Sequence, residues 1–76
     1  MPYWSDNLKN LTRKEAYPGA MMKNLDGGEG MISARSKKGI TIVGVKYGEY
    51  FPVPTDEVIG EYKDVEEMIN AGWAID

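Results

Sequence analysis

The chain has 76 residues, a net charge of −3, and neither His nor Cys. Imidazole and thiol are the groups most used for proton transfer near neutral pH, thiol chemistry and transition-metal binding, so their absence argues against an enzyme, a metal centre, a cofactor or a small-molecule substrate. The length allows one domain, and without disulfides or a Cys/His-held metal the remaining aids to stability are tight packing and association with a partner or with further copies.

Residues 1–30 are expected to form a weakly structured lead-in. Within it Ser5 predicts the N-cap of a short helix carrying Leu8 and Leu11 on one face and ending before Pro18-Gly19. Thr12 with Glu15 three residues later offers a competing capping pattern, cut short by Pro18. Tyr3 and Trp4 precede any core element, so they either fold back over the domain or anchor an arm on a neighbouring molecule. The same N-terminus lacks the basic start and apolar run of a signal peptide, and no segment is apolar enough to cross a bilayer; the expectation is a cytoplasmic protein with no membrane partner. Met21, Met22 and Leu25 follow, and Asp26-Gly27-Gly28-Glu29-Gly30 then breaks regular structure. Its two carboxylates disfavour a phosphate despite the three glycines, which leaves a connector.

Residues 31–76 carry the clearer elements. From 31 to 37 apolar and polar residues alternate, placing Ile32, Ala34 and Ser36 on one side of a half-buried strand. Lys38-Gly39 predicts a tight turn into Ile40–Tyr47, the most β-prone run and the candidate central strand. Gly48 marks a second turn. Residues 49–54 continue extended, and Pro52 and Pro54 place them at a sheet edge or have them leave the sheet at their end. Val58–Tyr62 suits either a strand or a helical turn. Asp64 as N-cap, Glu67 at N3, an apolar face of Val65, Met68 and Ile69, and Gly72 past the end predict a two-turn helix, after which Trp73–Ile75 leaves extended. Phe51 and Trp73 are assigned to the core.

The expected fold is therefore α+β: a three- or four-stranded antiparallel sheet built on the 31–54 meander, a short C-terminal helix, and an N-terminal helix or arm. An SH3-like barrel is the alternative, since a strongly twisted sheet can curl.

Charge divides along the chain. Residues 1–46 hold eight of the nine cations, whereas from 47 onward eight carboxylates face Lys63 alone. Such a division suits head-to-tail contact between copies or a partner of opposite sign, unless folding interleaves the halves as solvated ion pairs. Asp64, Glu66 and Glu67 are explained by the helix dipole, leaving Asp56, Glu57 and Glu61 to face a basic partner. The expected function is a non-catalytic protein-binding module, an accessory, inhibitor or assembly subunit. Its predicted contacts are Tyr3, Trp4, Tyr47, Tyr50, Asp56, Glu57 and Glu61. The alternative is nucleic-acid binding through a basic hairpin tip built from Arg35, Lys37, Lys38 and Lys46, with tyrosines for stacking.

Overall fold

In the computed structural model, which describes residues 3–76, the β-branched run at the centre of the chain pairs on both sides and organises the molecule. Met1 and Pro2, the first two residues of the expected lead-in, lie outside the described residues. The order of elements is α1 (Asp6–Glu15), β1 (Met21–Asn24), β2 (Glu29–Ser36), β3 (Gly39–Tyr47), β4 (Pro52–Tyr62), α2 (Val65–Asn70) and β5 (Trp73–Ile75). The strands form one open antiparallel sheet in the order β4-β3-β2-β1-β5. An α+β fold is therefore correct, with five strands instead of three or four. The SH3-like closure does not form, because β4 and β5 remain the two edges.

The segment expected to be weakly structured contributes a helix and a strand. β1 has little intrinsic strand preference; it forms because it is paired on both sides, Met21 opposite Met31 of β2 and Met22 opposite Ile75 of β5. In α1 the Ser5 hydroxyl accepts the Leu8 N–H at 3.1 Å, as an N-cap should. The buried side of the helix is not the expected one, since Leu11 is exposed and Thr12 is fully buried. Nor is Thr12 a cap. From within the helix its hydroxyl donates to the Leu8 carbonyl at 2.7 Å and accepts the Ile75 N–H at 3.0 Å, which closes the outer edge of β5.

β2 departs from simple alternation. Ile32 lies opposite Ile42, but Ala34 lies opposite Thr41, so Ser33 is the extra residue of a bulge. Beyond it the faces exchange: Arg35, paired with Ile40, takes the side that alternation would give to Ala34 and Ser36. β4 is one continuous 11-residue strand that includes 58–62, and its prolines do lie on an edge. Irregular registers against β3 near Ile59 and across 55–57, together with the prolines, blunt that edge against further pairing.

The core lies between the sheet and the two helices. Met22, Ile32, Ile40 and Ile42 from the strands meet Ala16, Met68, Ile69 and Trp73. Met22, Ile32, Ile42 and Met68 are essentially inaccessible, each contributing about 1.5–3 kcal/mol by burial. α2 starts as expected, the Asp64 carboxylate accepting the Glu67 N–H at 2.8 Å, and buries Met68 and Ile69. Trp73 is buried and its indole N–H donates to the Tyr62 hydroxyl at 2.9 Å. Phe51 is not in the core: it is 69 % exposed. The reason is topological, since β2 begins at Glu29 and β3–β4 run past it as a two-stranded ribbon whose turn has no layer above it.

Candidate functional site

The β3–β4 ribbon ends in a turn closed by the Gly48 N–H donating to the Phe51 carbonyl at 3.1 Å. Around it Tyr47, Tyr50 and Phe51 are 69, 89 and 69 % exposed. Three large rings on one protruding turn are an expensive surface to leave in water, each ring offering on the order of 150–250 Å² for burial. Of the predicted contacts, Tyr47 and Tyr50 lie here, whereas Asp56 and Glu57, both exposed, lie farther back on the returning strand, opposite Gly44. Phe51 belongs with the two tyrosines. The sequence signal that could have found it is its place two residues after Gly48 and directly before Pro52, a turn position more than a core one.

Tyr47 is positioned by a hydrogen bond from its hydroxyl to the Glu29 carboxylate, across β3 and β2. That bond raises the Tyr47 pKa above the ordinary tyrosine value, with burial and the charges of Glu29 and Asp76 adding to the effect. Glu29 is the register partner of Lys23, whose ammonium lies 5.2 Å from the centre of the Trp4 ring and 3.8 Å from an Asp76 carboxylate oxygen. Trp4 itself folds back, its indole N–H donating to the Gly72 carbonyl at 2.7 Å. Trp4 and Tyr47 thus share one end of the sheet, each beside one member of the Lys23–Glu29 register pair. Those two connecting residues were not predicted, because only the strand register brings them together. Tyr3 is 68 % exposed beside Lys9, whose ammonium lies 5.7 Å from its ring. Glu61 stands apart from the tip, opposite Thr41 near the other end of β4.

The basic group does not converge. Arg35 is half-buried, its guanidinium donating to the Ala16 carbonyl at 2.8 Å and lying 4.4 Å from the centre of the Tyr17 ring. Lys37 and Lys38 occupy the β2–β3 turn, whereas Lys46 sits at the far end of β3, about 25 Å away at roughly 3.3 Å per residue. Lys63, after β4, joins Lys37 and Lys38 at that end beside the carboxylate of Glu61, a group too small to displace many phosphate counterions.

At the β2–β3 turn end lies a shallow concavity of about 440 Å³, lined by residues of β2, β3 and β4 that include Ala34, Ser36, Lys38, Thr41, Glu61 and Lys63. Among the described residues, no group of three or more acidic side chains is arranged to hold a metal ion, and no helix is long and apolar enough to cross a membrane. Two ion pairs form among the described residues, Arg13–Glu66 and Lys23–Asp76. The charges of the β3–β4 turn and of the concavity belong to neither.

Comparison with protein-family models, with curated proteins and with solved structures found no match to this chain.

Proposed function

We propose that the chain is a non-catalytic protein-binding module, working as a small accessory, inhibitor or assembly subunit, and that the β3–β4 turn is its principal contact. The observation that carries this reading is the exposure of Tyr47, Tyr50 and Phe51 together on a ribbon that outruns the rest of the sheet. Aromatic residues dominate binding hot spots because they bury much area at little cost in rotamer freedom. A turn carried on two paired strands adds to this, since it needs less ordering on association than a free arm would. Asp56 and Glu57 add carboxylates farther back along β4; Trp4, held to the domain at the same end of the sheet, extends the surface instead of serving as a free arm.

Nucleic-acid binding is less well supported, with Arg35 engaged internally and Lys46 remote from Lys37 and Lys38. The test is capture from the lysate of the source cell by the immobilised chain, run beside a Tyr50→Ala, Phe51→Ala variant. A protein retained by the native chain and lost by the variant is the expected result. Retention of the same set by both overturns the assignment of the turn. An oligonucleotide shifted at low salt, and released after Lys37→Glu with Lys38→Glu, would favour the alternative.

A further inference from the structure

Alternation along the strands gives the sheet two faces, and the helices cover one of them. Met22, Ile32 and Ile42 meet the helices in the core, so their chain neighbours Met21, Met31 and Val43 lie on the other face. Those three are register partners in turn, and Val58 completes the row, which crosses β1, β2, β3 and β4 without a polar residue. Two more apolar pairs extend it along the β3–β4 ribbon, Val45 with Pro54 and Tyr47 with Pro52. An added Cβ at Gly30 would meet Ile42 and Ile59, and one at Gly44 would also meet Ile59, so both glycines face the core side and Val45 faces the free one. The water-facing side of an antiparallel sheet is ordinarily polar. Here Met31 and Val43 are nearly covered by their neighbours, whereas Val58 is 51 % exposed and Tyr47 more so.

We infer that this face is covered by the same face of a second copy, giving a two-fold dimer with the sheets packed together and the helices outermost. The inference stands apart from the role of the β3–β4 turn, with which it shares Tyr47. The row carries no charge with which to select a partner of opposite sign, and an isologous contact asks only that a patch match itself, which an apolar sheet face does. The charged residues beside the row are already partnered: Lys23 lies opposite Glu29 and pairs with Asp76, and Glu29 accepts the Tyr47 hydroxyl. Asp56 lies in the irregular stretch of the outermost strand, and Glu61, opposite Thr41, lies at the far border. Five strands at about 4.8 Å, and the stretch from Thr41 to Tyr47 at about 3.3 Å per residue, make a face of roughly 25 by 20 Å. Two copies therefore cover on the order of 1,000 Å² in all, where specific interfaces begin, so the dimer is a weak one that forms as concentration rises. Association through strand edges is disfavoured: prolines and irregular registers interrupt β4, and Thr12 caps β5.

Sedimentation velocity of the purified chain over a range of concentrations reads the mass, which should rise from the 8.5 kDa of one chain towards twice that value and stop there. The contact is apolar, so high salt should not dissolve it. The native methionines report its place: as concentration rises, the methyl NMR signals of Met21 and Met31 should shift, while those of Met22 and Met68, closed inside the core, should not. Val58→Lys sets a charge in the row at an exposed position, so circular dichroism should show the native fold and sedimentation a monomer. Tyr50→Ala with Phe51→Ala leaves the row intact and should still dimerise.

A native chain that is monomeric throughout the range overturns the inference, as does a dimer that persists in folded Val58→Lys or one whose Met21 and Met31 signals stay unchanged. A dimer lost in the turn variant but kept in Val58→Lys moves the contact to the turn and equally overturns it. Should the native chain be monomeric while Val58→Lys loses a captured lysate protein, the face belongs to a different protein and the second copy is excluded. Capture lost in the turn variant with its dimer intact supports both readings; capture kept there, with Val58→Lys monomeric, fails the reading of the turn alone.

Discussion

Replacing Thr12 with Val tests how the free edge of β5 is closed. Val keeps the shape and β-branching of Thr, so the fully buried site stays filled and the helix conformation is little affected. The Leu8 carbonyl keeps its helical partner, the N–H of residue 12, so losing the hydroxyl donor leaves it satisfied. The Ile75 N–H is different, since the hydroxyl of the fully buried Thr12 is its acceptor at 3.0 Å and the Val methyl that takes its place cannot accept. An orphaned donor of this kind costs about 1–3 kcal/mol. At 4–8 °C per kcal/mol for a chain of this size, the midpoint of unfolding should fall by roughly 10 °C. Thr12→Ser keeps the hydroxyl and loses one buried methyl, worth about 0.8 kcal/mol, or roughly 5 °C. Thermal unfolding followed by circular dichroism gives both shifts, and hydrogen exchange should show the Ile75 amide losing protection only in the Val variant. A Thr12→Val chain as stable as the native one, or less affected than Thr12→Ser, would refute the reasoning.

Two further outcomes follow from the backbone and the charges. At Gly39 (φ +146) an added Cβ would stand 2.5 Å from the Tyr62 carbonyl oxygen, whereas at Gly27 (φ +92) it would meet nothing within 4 Å. Gly39→Ala should therefore cost about 3 kcal/mol in urea unfolding against about 1 kcal/mol for Gly27→Ala, the second reporting backbone strain alone; equal losses would show that the contact is relieved by movement. The Arg13 guanidinium, by hydrogen bonding first and attraction second, lowers the Glu66 pKa below its ordinary value. A lowered folded-state pKa gives stability present above the unfolded-state pKa and lost as pH falls through the folded one. The difference between the native chain and Arg13→Gln should accordingly be small, as for any exposed pair, and should vanish on acidification below the glutamate range.

Where local rules act alone, the linear order of residues was enough. Ser5 and Asp64 cap their helices because a short oxygen-bearing side chain meets the orphan N–H groups two or three residues on, and nothing distant is needed. The α+β class, the β-prone run that became β3, the edge position of the prolines and the extended course of Trp73–Ile75 were legible for the same reason. The aromatic character of the β3–β4 turn was also visible in Tyr47 and Tyr50, whereas Phe51 was assigned to the core. Tertiary structure decided the rest. β1 exists only between two partners; the bulge at Ser33 turned Arg35 inward and removed it from the basic group; and Phe51 is exposed because β2 starts too late to cover it. Caps and turns depend on neighbours a few residues away, whereas register and cover depend on strands brought together from across the whole chain.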